Sequence, residues 1–339
     1  MNVIERTTRR IDAFQQRRAA LAFPIAVSKK FGDDRAGYLA ALIAYYAFAS
    51  IFPLLIAFVS ILGLVLQNSP SLEHTLVNGT LAQFPVIGTA IKHHAVPASV
   101  TAIVVSSILS IWAGLGVISA MQNAMNDVWD VPLKDRPNFI FNRLRSLLML
   151  AVFGVLTLAT IFLSGLGSTS GSIGGVLRAV GFVGSLVLNW ILYMIGFRVL
   201  TRKKLSWGDV FPGAVVGAVL WTALQSFGNY LVTHQIARAS NTYGVFATVI
   251  GLLFWLYMGA QLSLYAAEIN VVRVKRLWPR SLVQPPLSEG DKRSFEHEAQ
   301  VEVRREEQQV SVSFDERADR LPEEETSSEE TPRATSGDR

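Results

Sequence analysis

Four polar side chains stand in line within the last apolar stretch of the chain. Tyr257, Gln261, Tyr265 and Glu268 fall at i, i+4, i+8 and i+11, a spacing that puts them on one helix face. Trp221, Gln225 and Asn229 repeat the pattern in the preceding stretch, and Asn123, Asn126 and Asp127 share a face further upstream. In the first apolar stretch Tyr46, Ser50 and Pro53 fall at i, i+4 and i+7, and Pro53 leaves the carbonyl of Ala49 without its helical donor. At membrane depth such groups either bond helix to helix, for roughly 0.6–2 kcal/mol each, or face a water-filled path. Glu268 is the sharpest candidate. A carboxyl at that depth carries charge or a proton, and Arg35, Arg143 and Arg145 are the cations expected near its level.

Other chemistries lack their residues. The chain has no cysteine, which excludes disulfides, thiolate nucleophiles and Cys-ligated zinc or iron–sulfur sites. His74, His93, His94 and His234 fall in expected outer loops, and the adjacent His93 and His94 are not the i, i+4 pair of a helical metal site. Asn78-Gly79-Thr80 fits a glycosylation acceptor, but so short a motif is uninformative. Phosphodiester hydrolysis needs clustered Asp, Glu or His ligands for metal ions, and no such cluster is visible. No catalytic residue, metal site or cofactor is assigned, and the chain is read as a non-enzyme.

The elements that must position the stripes are membrane helices. Half of the 339 residues are hydrophobic (50%) and only 17% are charged, the composition of a polytopic membrane protein. Six spans are expected, at about 37–66, 98–121, 147–166, 176–199, 210–232 and 243–272, each near the about 20 apolar residues that cross a bilayer. The connection 68–97 reads as an outer cap, and Gly213 and Gly217 allow close helix approach in the fifth span. Lys and Arg crowd the N-terminus and the segments after spans two, four and six, while the other loops are nearly bare. By the positive-inside rule both termini are cytoplasmic. Spans one, two and six then bring Tyr45, Asn123, Asn126, Asp127 and Glu268 to the cytoplasmic level, where the stripes would line a polar cavity with Pro53 at its upper limit. The fold class is thus all-α, six-spanning and multi-pass.

Residues 1–36 are basic, with Ile4, Ile11, Phe14 and Leu21 interleaved, and read as amphipathic helices lying on an anionic leaflet. The formal charge of +5 sits in loops, so it indicates membrane lipids as partners rather than nucleic acid. Residues 37–278 form the membrane domain. From 279 to 339 Glu, Arg, Gln, Ser and Thr dominate, and a disordered cytoplasmic tail is expected. Glycine-rich faces permit a homo-oligomer without demanding one.

The segments AYYAFASIFPLL (44–55), ISAMQNAMNDVWDV (118–131), FPGAVVGAVLW (211–221) and YGVFATVIGLLFWLYMGAQLSLYAAEIN (243–270), in this order, resemble the YihY/BrkB family of bacterial inner-membrane proteins. The resemblance covers about residues 35–272. It matches the family pattern at Tyr45, Ser50, Pro53, Asn126, Trp129, Pro212, Tyr243, Gly244, Trp255 and Glu268, and departs from it at Ala266, where the family usually has Gly. Members have been called ribonuclease BN, a misassigned name, and others have been linked to serum resistance or to transport of lipid-related material. The resemblance implies an inner-membrane location and, together with the polar stripes, a transporter or exporter of a small amphiphilic, lipid-like substrate. A structural or scaffolding membrane protein is the alternative.

Overall fold

A computed structural model describes residues 3–66, 100–136, 139–166, 174–231 and 237–315; the expected outer cap and its histidines lie outside these. Among the described residues the regular structure is helical. Two short helices, α1 (Val3–Gln16) and α2 (Ala19–Asp33), precede six long ones: α3 (Ala36–Leu66), α4 (Val100–Val128), α5 (Phe139–Leu166), α6 (Gly174–Leu200), α7 (Trp207–Leu231) and α8 (Ala237–Lys275). A last helix, α9 (Glu289–Val301), follows.

The six long helices form a ring. Each packs on the next in chain order, and α8 returns to close against α3. Their outward faces carry apolar residues about one turn apart, such as Val176, Val180, Val183 and Val187 on α6 and Phe211, Val215 and Val219 on α7, all exposed. Apolar stripes of that extent are foreign to a soluble surface and suit hydrocarbon. Over the described residues, five of the helices are long and apolar enough to cross a membrane, at Ala36–Leu54, Val104–Val128, Ala179–Leu200, Trp207–Gly228 and Val249–Lys275. The fold is therefore an all-helical multi-pass bundle. The sixth helix, α5, stands in the expected third span, and the side chains of its far half lie outside those described.

Small residues set the closest approach. A Cβ on Gly217 would stand 2.9 Å from the Tyr193 ring and 3.2 Å from Ala266 Cβ, and one on Gly213 would stand 2.6 Å from Asn270 Cγ. The two glycines expected to permit close packing thus serve the α7–α8 contact within the chain. Pro212 deprives the Gly208 carbonyl of its helical donor, and the Arg273 guanidinium donates to that carbonyl instead.

Part of the expected tail is folded. Residues 277–303 wrap over α1 and α2 at the basic end of the ring. Arg280, fully buried, donates from Nε to Asp291 at 2.6 Å and from Nη2 to Asp33 at 2.8 Å. Lys29 donates to the Ser281 carbonyl at 2.7 Å and to Asp291 at 2.9 Å, and Gln15 donates to the Arg280 carbonyl at 2.8 Å. Ser288 and Asp291 cap α9 reciprocally. Disorder from 279 onward is thus corrected for 279–315, because buried ion pairs supply the ordering that apolar content alone did not promise; residues 316–339 lie outside the described ones.

Candidate functional site

A cavity of about 470 Å³ occupies the centre of the ring, within the range of small-molecule sites. All six long helices line it: Ile43 and Ala47 from α3, Met121 and Met125 from α4, Phe153 from α5, Asn189 and Tyr193 from α6, Trp221 and Gln225 from α7, Gly259, Ala260, Ser263 and Leu264 from α8. Most of this wall is apolar, which corrects the expectation of a polar cavity. Its polar groups are few and placed at discrete points. Tyr193 Oη and Ser263 Oγ are hydrogen-bonded at 2.8 Å, and buried Asn189 keeps Nδ2 without a partner. Among the described residues no charged side chain lines it.

The stripes read from the sequence do several different jobs. Gln225 lines the cavity. Tyr257 and Gln261 bond to each other, Gln261 Nε2 donating to Tyr257 Oη at 2.8 Å, and Tyr265 stacks on Phe31 with centroids 3.8 Å apart. Asn126 is buried and accepts the Arg202 backbone N–H at 2.9 Å, while Asp127 pairs with Arg136 at 2.6 Å. Ser50 donates to the Ala47 carbonyl in its own helix, and α3 runs unbroken through Pro53, which does not line the cavity. Tyr46 packs against Gly116, where a Cβ would meet its ring at 2.8 Å. Tyr45 and Asn123 are exposed on the outside. The side chain of Asn229 lies outside those described.

Glu268 is fully buried, but its neighbours are not the expected arginines. Arg145 donates to the carbonyls of Val199 and Thr201 at the end of α6. The groups that act on Glu268 are Asp34, Lys30 and Asp130. Lys30 pairs with Asp34 and reaches Asp130 at 3.1 Å; Lys275 reaches Asp130 at 2.5 Å and donates to the Trp129 carbonyl at 2.9 Å. Burial works against the Lys30 charge, but Glu268, Asp34 and Asp130 outweigh it and hold the ammonium above the usual lysine range. For Asp130 burial is likewise overcome, here by Lys30 and Lys275, and its carboxyl lies below the usual range. Burial prevails at Asp34 and pushes it up to about 6.

Three turns feed this cluster. Arg35, Asp130 and Arg276, each just past a helix end, have φ of 50°, 49° and 54°. None is glycine, so each left-handed turn costs about 1–2 kcal/mol, and such strain gathers where surroundings impose it. Sequence reasoning missed Lys30, Asp34, Asp130 and Lys275. The available signal was the i, i+4 pair of Lys30 and Asp34, ahead of a span whose far partner carries a carboxyl.

The family model described as virulence factor BrkB matches residues 27–286. Among relatives, the inner membrane protein YhjD of Escherichia coli (strain K12) is 22% identical over 274 residues, 74% of this chain and 81% of its own. A UPF0761 membrane protein of Pelodictyon phaeoclathratiforme is 24% identical over 252 residues, 71% and 57% of the two chains. A protein named as ribonuclease-like, YfkH of Bacillus subtilis (strain 168), is 24% identical over 272 residues, 69% and 88%. No solved structure matches the chain.

Proposed function

This chain belongs to the BrkB family, as a multi-pass protein of the bacterial inner membrane, and on that premise we propose that it carries a small amphiphilic molecule through the centre of its helix ring. The cavity carries this reading. A closed ring of helices that only held itself together would bring its inward faces into contact; here they stand apart around 470 Å³. The apolar wall suits a hydrocarbon moiety. Asn189 and the Tyr193–Ser263 pair offer hydrogen bonds to a polar group on the same molecule, and the unpartnered Asn189 Nδ2 favours one that accepts.

The positive-inside pattern assigns the basic end to the cytoplasm. There the folded ends of the chain and the charge cluster close the ring, so passage requires their rearrangement. Lipid and metabolite analysis of a deletion strain tests the proposal without a guess at the substrate. An amphiphile that accumulates in the deletion strain, is cleared by the parent chain and is not cleared by Ala260→Trp, which fills the cavity, is the expected result. Full clearance by Ala260→Trp would refute carriage through this cavity. The scaffold alternative is favoured by one observation, the exposed Ile11, Phe14 and Leu21 of the N-terminal helices, which suit docking to another surface.

A further inference from the structure

The charges buried between the chain ends and the cavity floor do not balance. Lys30 and Lys275 bring two ammonium groups, while Asp34, Asp130 and Glu268 bring three carboxyls, and no side chain of the five is more than 7% exposed. Asp130 receives both lysines and Asp34 receives Lys30. Among the described residues no N–H or hydroxyl reaches either oxygen of Glu268. The polar group it meets is the carboxyl of Asp34, in hydrogen-bonding contact. Two ionised carboxylates only accept hydrogen bonds and repel each other, so a contact of this kind holds when one of the two carries a proton. That same proton brings the cluster to zero net charge, which a site shut off from water requires.

The pair sits directly beneath the cavity. Leu264, one turn before Glu268 on α8, and Met125, five residues before Asp130, both line it. The cluster also joins the elements that shut this end: Lys30 from α2, Asp34 from the α2–α3 turn, Asp130 after α4 and Lys275 from α8. Further out, Lys203 acts on Lys275 from the loop after α6, and His297 of α9 feels Lys275, Asp130, Lys203 and Lys30. We propose that Asp34 and Glu268 together bind one proton, and that this proton holds the basic end of the cavity closed.

The proton comes from water and returns to it, and only an O–H bond forms or breaks. When it leaves, two carboxylates stand in contact with Lys30 able to neutralise one of them. Their repulsion drives the α2–α3 turn away from α8 and uncovers the cavity floor. The proton site rests on the cluster alone; its effect on access rests on the cavity as a passage.

The cysteine-free chain allows a direct test. Ala260→Cys places one thiol in the cavity wall, and its labelling by a water-soluble maleimide in the full-length protein, in membrane vesicles open to the basic side, reports access. Glu268→Gln mimics the protonated carboxyl, because its amide donates to Asp34. The ratio of labelling rates with Glu268 and with Gln at that position cancels the thiol's own titration. The ratio is expected near one a pH unit below the Asp34 value of about 6, rising at least about tenfold two units above it. If Glu268→Gln does not accumulate, Asp34→Asn carries the same expectation. A ratio that stays flat across this range overturns the proposal. An infrared carboxylic-acid carbonyl band that is present a pH unit below the Asp34 value of about 6 and lost in Glu268→Gln supports the proton itself, and its absence from the parent chain at that pH overturns it. Neither readout involves a substrate, so a chain that carries nothing yet shows the pH-dependent ratio refutes the transport reading alone.

Discussion

Replacing Gly213 by alanine isolates the closest helix approach in the ring. The added Cβ would stand 2.6 Å from Asn270 Cγ, against 3.4 Å for ordinary contact, and it would overlap the Ala266 carbonyl oxygen as well. Since that oxygen is backbone, α7 and α8 must part by at least the 0.8 Å difference between those two distances. The Gly213 N–H donates to Asn270 Oδ1 at 2.7 Å inside this contact, so the same movement takes it to about 3.5 Å, where it no longer holds. Losing a buried bond costs about 1–3 kcal/mol and forcing a methyl into packed space about 1–3 kcal/mol. The gain in helix propensity from Gly to Ala returns at most about 1 kcal/mol. Gly213→Ala is therefore expected to destabilise the protein by about 1–5 kcal/mol. Gly154→Ala on α5, with nothing within 4 Å of its added carbon, is the matched control and should leave stability unchanged or slightly raised. Unfolding of full-length protein in mixed micelles, followed by tryptophan fluorescence, gives both values. Equal midpoints for Gly213→Ala and Gly154→Ala would show that the two helices can yield without loss, and the packing account would be wrong.

Asp130→Asn leaves Lys30 and Lys275 buried without their shared carboxylate, so a loss of about 3–5 kcal/mol is expected in the same unfolding assay; a loss below about 1 kcal/mol would mean that water reaches the pair. Asp291 is buried, yet Arg280, Lys29, Ser281 and Ser288 outweigh burial and hold its carboxyl well below the usual range. A depressed carboxyl stabilises above its unfolded value near 3.8 and loses that contribution as pH falls below it, so α1 and α9 should release together under acid, and Asp291→Asn should release them at neutral pH. Limited proteolysis at residues 277–303 reads both, and unchanged cleavage of the variant would contradict the arrangement. Asn189→Leu removes the unpartnered donor from the cavity wall and should keep or raise stability while weakening clearance of the accumulated amphiphile; a clear loss of stability would mean that the amide has a structural partner.

The membrane helices were legible because apolar runs and loop charges are local signals. A close helix approach at Gly213 and Gly217 was legible too, since they lie four apart on one face, but that its partner is α8 was not. The charge cluster was not, because Lys30, Asp130 and Lys275 are brought together across 100 and 145 residues by contacts that no local pattern encodes. Glu268 stood out as a carboxyl in an apolar stretch, yet periodicity gives a face and not a partner, and Arg145, one of the arginines expected at its level, donates to carbonyls at the end of α6 instead. Tyr45 and Asn123 show the same limit: a polar residue near the end of a span can look outward as readily as inward. The folded part of the tail was hidden by averaging. Residues 316–339 give 279–339 its disordered composition, whereas 277–303 holds Leu277, Trp278 and Val303 and a buried arginine.

The wrapping of the chain's end around its beginning fixes an order of birth. Lys29 leaves the ribosome 262 residues before its partner Asp291. At a synthesis rate of about 5–20 residues per second, that is a wait of roughly 13 to 52 s. For nearly all of that interval the N-terminal helices have no Arg280 or Asp291 to meet, while Gln15 and Lys29 stay in water and the spans enter the bilayer one by one. The basic end of the ring is thus the last part to be finished. A ribosome that stops before residue 277 leaves a protein with its spans made and its floor unlatched.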